Sequence, residues 1–184
     1  MIPLIALLLA AANPAPNPAV SDTSFVAPDG ARTLQQSIVI DAPVPVLWKA
    51  FTDATEFQRW SAPVAAIDLK TGGSLEATYD DKHAIGDPDN IRHRIVTYLP
   101  NRLIVFQNTN APAGLPGREL FKQVVAVLEY EPLGPNRTKV TLSQTGWGPD
   151  PASDTLYRFF QSGNAASLAK MKRVYEAMRA PAGR

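Results

Sequence analysis

Cysteine is missing from all 184 residues, which removes disulfides, thiolate metal sites and cysteine nucleophiles together. An excess of either charge is missing too. The chain carries 18 Lys and Arg against 17 Asp and Glu, a formal net charge of +1, and no basic block occurs that would track a phosphate backbone. Nucleic acid is therefore not an expected partner. No phosphate loop, dinucleotide fingerprint or Gly-x-Ser-x-Gly elbow occurs, so nucleotide use and serine-hydrolase chemistry have no support and no cofactor is expected. Histidine is scarce, with only His83 and His93. His83 lies in Asp80-Asp81-Lys82-His83 with Asp87 and Asp89 nearby, a spacing that fits neither a calcium loop nor a paired-histidine zinc site. This segment reads as a solvated hairpin loop, and no metal site is expected.

What is present suits one ordinary domain, with 45% hydrophobic and 19% charged residues. Residues 2–12 form a short apolar run ending in Ala10-Ala11-Ala12. The run suits the core and cleavage site of a secretory signal, although no Lys or Arg precedes it, and it is too short to span a bilayer as a helix. Segment 1–19 is thus expected to be a signal peptide, which implies a periplasmic or secreted protein with no stable membrane span after cleavage. Asn13-Pro14-Ala15-Pro16-Asn17-Pro18 then leads into a segment without periodicity, expected to be a flexible linker over 20–32 before a domain over 33–180.

Within that domain, residues 34–40 alternate, with Leu34, Gln36, Ile38 and Ile40 on one side, until Asp41-Ala42-Pro43 stops the strand. Val46, Leu47, Ala50 and Phe51 share a face of a short helix, and a second short helix over 55–60 is capped by Asp53 or Thr55. Strands are expected over 65–69 and 74–79 across Gly72-Gly73, over 91–99 and 103–107 across Pro100-Asn101, and over 120–131 and 138–145 across a turn at 133–136. Two intervening segments, 80–90 and 108–118, read as loops, the second of them mobile. The longest periodic stretch comes last. Phe160, Asn164, Leu168, Met171, Tyr175 and Met178 follow one face of a helix over 150–178, with Arg158, Gln161, Lys170, Arg173 and Glu176 opposite. Asp150 or Ser153 is available as its cap. Consecutive strands with hairpin-sized connections predict an antiparallel sheet, wet on one face and covered by helices on the other.

Three stretches carry a family resemblance: Val39-Ile40-Asp41-Ala42-Pro43-Val44-Pro45-Val46-Leu47-Trp48-Lys49-Ala50-Phe51, then Phe57-Gln58-Arg59-Trp60, then Thr138-Lys139-Val140-Thr141-Leu142-Ser143-Gln144-Thr145-Gly146-Trp147. In this order they resemble the START-like (SRPBCC) superfamily, in the branch named for homologues of the heat-shock-protein-90 ATPase activator. The resemblance covers roughly residues 33–176. It implies an α+β helix-grip fold: a curved antiparallel sheet of about six to seven strands around a long C-terminal helix, two short helices after the first strand, and a deep pocket between sheet and helix. The superfamily includes lipid and hormone carriers, polyketide cyclases and aromatases, and the branch name describes a co-chaperone activity. The branch often has a Trp in the last helix near Asn164-Ala165-Ala166. Its absence here implies a pocket widened at the helical wall.

The residues expected to line that pocket are Trp60, Tyr79, His93, Phe106, Trp147, Phe160, Asn164 and Leu168. Asn164 is the sharpest of them, because a carboxamide in an apolar stripe must find partners or cost roughly 1 to 3 kcal/mol. The aromatics would supply flat apolar area. His93, between Arg92 and Arg94, could move a proton if it faces inward. Three functions stay open. The leading one is non-catalytic binding or transport of a largely apolar small molecule. A protein-binding module of the activator type, using loop 108–118, is the second. The third is a cyclase- or hydrolase-like enzyme using His93 or Glu76, with Arg94 or Arg118 to neutralise an anionic ligand.

Overall fold

The computed structural model describes residues 19–178; the apolar run 2–12 and the expected signal peptide lie outside the described residues, apart from residue 19. The strand β3 (Arg32–Ile40) is set by its alternation, since Leu34, Gln36, Ile38 and Ile40 are all buried on one side. Pro45 at the first turn opens helix α1 (Val44–Thr52), where its missing N–H has no intrahelical partner to lose. Helix α2 (Ala54–Trp60) follows at once, capped by Asp53, whose carboxylate accepts from the Glu56 N–H at 3.0 Å. The pair buries Leu47, Trp48, Ala50, Phe57 and Trp60. Trp48 takes the place expected for Val46, which is 40% exposed.

Strands β4 (Val64–Ile67), β5 (Ser74–Thr78), β6 (Ile91–Leu99) and β7 (Leu103–Asn110) form an antiparallel meander. It continues through β8 (Val125–Gly134) and β9 (Arg137–Trp147), and β9 pairs with β3. Two expectations fail before β8. Residues 120–124, expected as strand, instead belong to a single helical turn α3 (Arg118–Phe121) and the bend after it. Gly117 at φ +75° starts that turn, and a short apolar run cannot by itself distinguish helix from strand. Loop 108–118 is shorter than expected and tied down, because β7 runs on to Asn110. The Asn110 amide donates to Asn90 O at 2.6 Å, and Arg118 donates to Asn110 Oδ1 at 2.8 Å.

Segment 20–32, expected as a flexible linker, is folded. Strands β1 (Val20–Asp22) and β2 (Phe25–Val26) both pair antiparallel with β3, with Val20 opposite Ile38 and Phe25 opposite Thr33. Strands of two and three residues carry almost no local signal. What orders them is the unpaired side of β3, together with Asp22 Oδ1 accepting from the Ser24 N–H at 3.0 Å. They raise the sheet to nine strands among the described residues, in the order β1-β3-β9-β8-β7-β6-β5-β4 with β2 also on β3.

The long helix α4 (Pro151–Ala177) is capped by Asp150, which accepts from the Ser153 N–H at 2.9 Å. It lies over β3 and β9 and closes two apolar clusters. The first gathers Ile38, Trp48, Phe57, Trp60, Phe106 and Leu128 under Leu168, Met171 and Tyr175. The second gathers Leu34, Phe121, Val124 and Trp147 under Leu156, with Tyr157, Phe159 and Phe160 half-buried against it. Met178, the last member of the expected stripe, is 55% exposed. Gly146 makes the second cluster possible. At φ +98° it interrupts the alternation of β9 so that Trp147 turns inward, and a Cβ there would meet Gln123 O at 2.7 Å.

Candidate functional site

Between the two clusters, the face of the sheet under α4 turns polar. Pairing across the sheet places Ile95, Phe106, Ala126, Gln144 and Leu34 in one row, and Leu75, His93 and Asn108 in the next. Asn108 is only 2% exposed and Gln36, on β3, only 3%. From the helix, Asn164 donates from Nδ2 to Gln144 Oε1 at 2.8 Å, and Gln161 O accepts from Gln36 Nε2 at 3.1 Å. Aromatic rings connect the two sides. His93 lies edge-on to Phe106 at 5.0 Å and tilted against Phe121 at 6.3 Å, while Phe121 stacks on Phe160 at 5.2 Å.

Not all of this polar surface is satisfied. Asn108 Nδ2, Gln36 Oε1 and His93 Nδ1 are buried atoms without a hydrogen-bond partner, and each such group costs about 1–3 kcal/mol unless something pairs with it. Burial pushes the His93 imidazole down to about 4, against a smaller upward pull from its hydrogen bond to Asn108. The ring is therefore neutral at physiological pH, and its Nδ1 has no partner. Charged groups stand aside. Glu76 pairs with Arg92 across β5 and β6 on the opposite face from Leu75 and His93, and it also accepts from Asn90 and the Gly86 N–H. It cannot serve the acid–base role considered for it. Arg94 is exposed and donates to Gln107, and Arg118 donates to Asn110 while its Nε is buried and unpartnered.

The first half of α4 is held over the site by polar clamps. Arg32 donates to Asp154 Oδ1 and to Gly148 O, each at 2.8 Å, and its guanidinium lies 4.6 Å from the Tyr157 ring centroid. Asp22 Oδ2 accepts from Gln161 at 2.9 Å and Gln36 at 3.1 Å. Burial pushes the Asp22 carboxyl up, but hydrogen bonds from Ser24, Gln161 and Gln36 outweigh it and hold the group below its ordinary value.

Of the residues singled out in the sequence, His93, Phe106, Phe160 and Asn164 come together here. Trp147 backs Phe160 at 5.8 Å from within the second cluster, its indole N–H donating to Gln144 O. Trp60 and Leu168 belong to the first cluster, where the Trp60 N–H donates to Ala50 O at 2.7 Å. Tyr79 is 49% exposed and does not join them. Gln36, Asn108, Gln144 and Phe121 were missed. Gln36 and Gln144 could have been found as polar residues at inward positions of alternating strands, whereas Asn108 and Phe121 fell in segments read as loop and strand. On the other side of β1, β3 and β9 an open cleft of about 390 Å³ is lined by Ser21, Thr23, Gln35, Ser37, Lys139 and Thr141, none of them expected site residues. Among the described residues no group of His, Cys, Asp and Glu could hold a metal ion, and no helix is long and apolar enough to cross a membrane.

A curved antiparallel sheet gripping one long C-terminal helix defines a START-like (SRPBCC) protein. Within that superfamily the chain belongs to the family described as activator of Hsp90 ATPase homolog 1-like proteins, whose profile matches residues 41–176. Solved structures share the fold. CalU16 from Micromonospora echinospora is 20% identical with a TM-score of 0.62, over 89% of this chain and 88% of that one. The Aha1 dimer from Colwellia psychrerythraea is 15% identical with a TM-score of 0.59, over 82% and 98%. The di-domain ARO/CYC protein BexL of the BE-7585A biosynthetic pathway is 20% identical with a TM-score of 0.59, over 82% of this chain and 48% of that one. Among curated proteins none matches the chain.

Proposed function

We propose that this protein binds a largely apolar small molecule between the sheet and α4, as a carrier or sensor without catalysis. One observation carries the reading: the Asn108 amide, 2% exposed and next to Phe106 and His93, has a nitrogen with no partner. An apolar recess with a few convergent polar groups is the ordinary make-up of a small-molecule site. Catalysis has less support, because His93 has no carboxylate beside it and Glu76 is committed on the other face. A protein-binding role is the second reading, favoured by family membership alone. Loop 108–118, its expected contact surface, has no large exposed hydrophobic, and Leu115 packs half-buried on the second cluster. Export to the periplasm or the medium is proposed on the apolar run at 2–12, and fractionation of the native host tests it: recovery with the cytosol overturns it.

The binding reading is tested by native mass spectrometry of the chain purified from its own host, with extraction of whatever accompanies it. A stoichiometric apolar adduct that is lost in Asn108→Leu is expected. A bare protein whose melting temperature no lipid or aromatic library shifts overturns the reading in favour of protein binding.

A further inference from the structure

Resting on that binding reading, we infer that the site selects an uncharged aromatic molecule bearing phenol- or ketone-type oxygen, and discriminates against a carboxylate or an ammonium ion on the same ring system. The polar groups facing the space are Gln36, Gln144, Asn164, Asn108 and His93, which are four carboxamides and one neutral imidazole. The charged side chains around it are engaged by other partners. Arg92 and Glu76 pair on the opposite face, Arg94 turns to Gln107, and Lys172 is held by Val39 O and Glu176. Arg118 donates to Asn110 and Arg32 to Asp154 and Gly148, each through its terminal nitrogens, with its Nε buried and unpartnered. Asp22 stands at the rim, an exposed residue already engaged by Gln161 and Gln36. An ion buried in such surroundings loses its hydration without gaining a counter-ion, which a few neutral hydrogen bonds do not repay.

The unpartnered atoms define what the ligand must supply. Asn108 Nδ2 is a donor and calls for an acceptor oxygen, Gln36 Oε1 is an acceptor and calls for a hydroxyl or N–H, and the neutral ring of His93 can meet either through Nδ1. Between them lie the rings of Phe106, Phe121 and Phe160, flat surfaces that favour a flat guest. A long flexible acyl chain with an ionised head would match neither the charge nor the shape of this lining.

The test is calorimetric titration of the full chain at neutral pH with 2-naphthol, 2-naphthoate and 2-naphthylmethylammonium, which share one ring system and differ in charge. Naphthol is expected to bind at least about tenfold more tightly than either ion, and Asn108→Leu or His93→Phe to erase most of that preference while naphthalene binding is kept. Both variants replace a polar atom lacking a partner by an apolar one, and their melting curves report folding; if one fails to fold, the other decides. Naphthoate or the ammonium binding as well as naphthol overturns the charge selection and leaves the binding reading standing. A naphthol preference untouched in the folded variants overturns the assignment to Asn108 and His93. No binding by any of the ring compounds overturns the aromatic selection, and the binding reading itself is decided by the native mass spectrometry and the lipid library.

Discussion

The two halves of α4 are built differently although they lie on one sheet. The C-terminal half buries Leu168, Met171 and Tyr175 in an apolar cluster, where the Tyr175 hydroxyl donates to Glu56 and the Tyr130 hydroxyl is the unpartnered polar atom among the cluster's described residues. The N-terminal half keeps Phe159, Phe160, Gln161 and Asn164 only half-buried and depends on Arg32 and Asp22 to hold it in place. Burial of apolar area fixes the C-terminal half; the N-terminal half adds directional polar contacts to the anchorage of Leu156 in the second cluster. A single helix can thus be core at one end and wall at the other, and the switch from an apolar to a carboxamide residue between Leu168 and Asn164 marks the change.

The largest effect that would sharpen this contrast is a cavity in the packed half. Leu168→Ala is expected to cost about 2–5 kcal/mol, read as a lowered denaturation midpoint that the site's ligand does not restore. A loss below 1 kcal/mol would mean that the C-terminal half is as loosely seated as the other. Acid comes next. The His93 ring has an ordinary value of 6.5 and is held at about 4 in the fold, so the unfolded chain binds more protons between those values. Stability should fall as pH drops from about 6.5 to 4, by on the order of 3 kcal/mol, and stay level in this respect above pH 7. His93→Phe should flatten that limb, and an unchanged limb would place the titrating group elsewhere. Smaller again, Asp150→Ala removes the cap of the N-terminal half and should cost about 1 kcal/mol, with faster amide exchange confined to the first turns of α4. The smallest effect is a near-cancellation: Asn108→Leu removes a buried donor without a partner but also the group that His93 bonds to, so stability should change by less than about 1 kcal/mol. A clear loss instead would show that Asn108 is fully paired in solution.

The packed half was the legible one. Its 3.6-residue stripe is a local pattern, as are the Asp150 and Asp53 caps and the strand alternation elsewhere, and together they sufficed for the order of elements and the antiparallel sheet. Segment 20–32 was misread because strands as short as β1 and β2 exist only through β3, and β3 in turn only through β9. Trp60 and Trp147 suggested a cavity mouth but lie inside the clusters, a placement that turns on whether each indole N–H finds a backbone carbonyl, as both do. The N-terminal half was harder to read. Asn164 stood out against its stripe, but the residues it works beside come from strands β3, β6, β7 and β9, and only pairing register brings Asn108 opposite His93.

The closure of the sheet by its first long strand also sets an order of events. Ile38 pairs with Val140, about a hundred residues later in the chain, and Arg32 finds Asp154 later still. During synthesis β3 emerges with its inner residues Leu34, Ile38 and Ile40 bare, and it stays so until β9 and α4 have been made. The meander from β4 to β8 can form on its own schedule, but the grip cannot close before the last helix arrives. Until then the apolar inner side of the strand is open to non-native contacts.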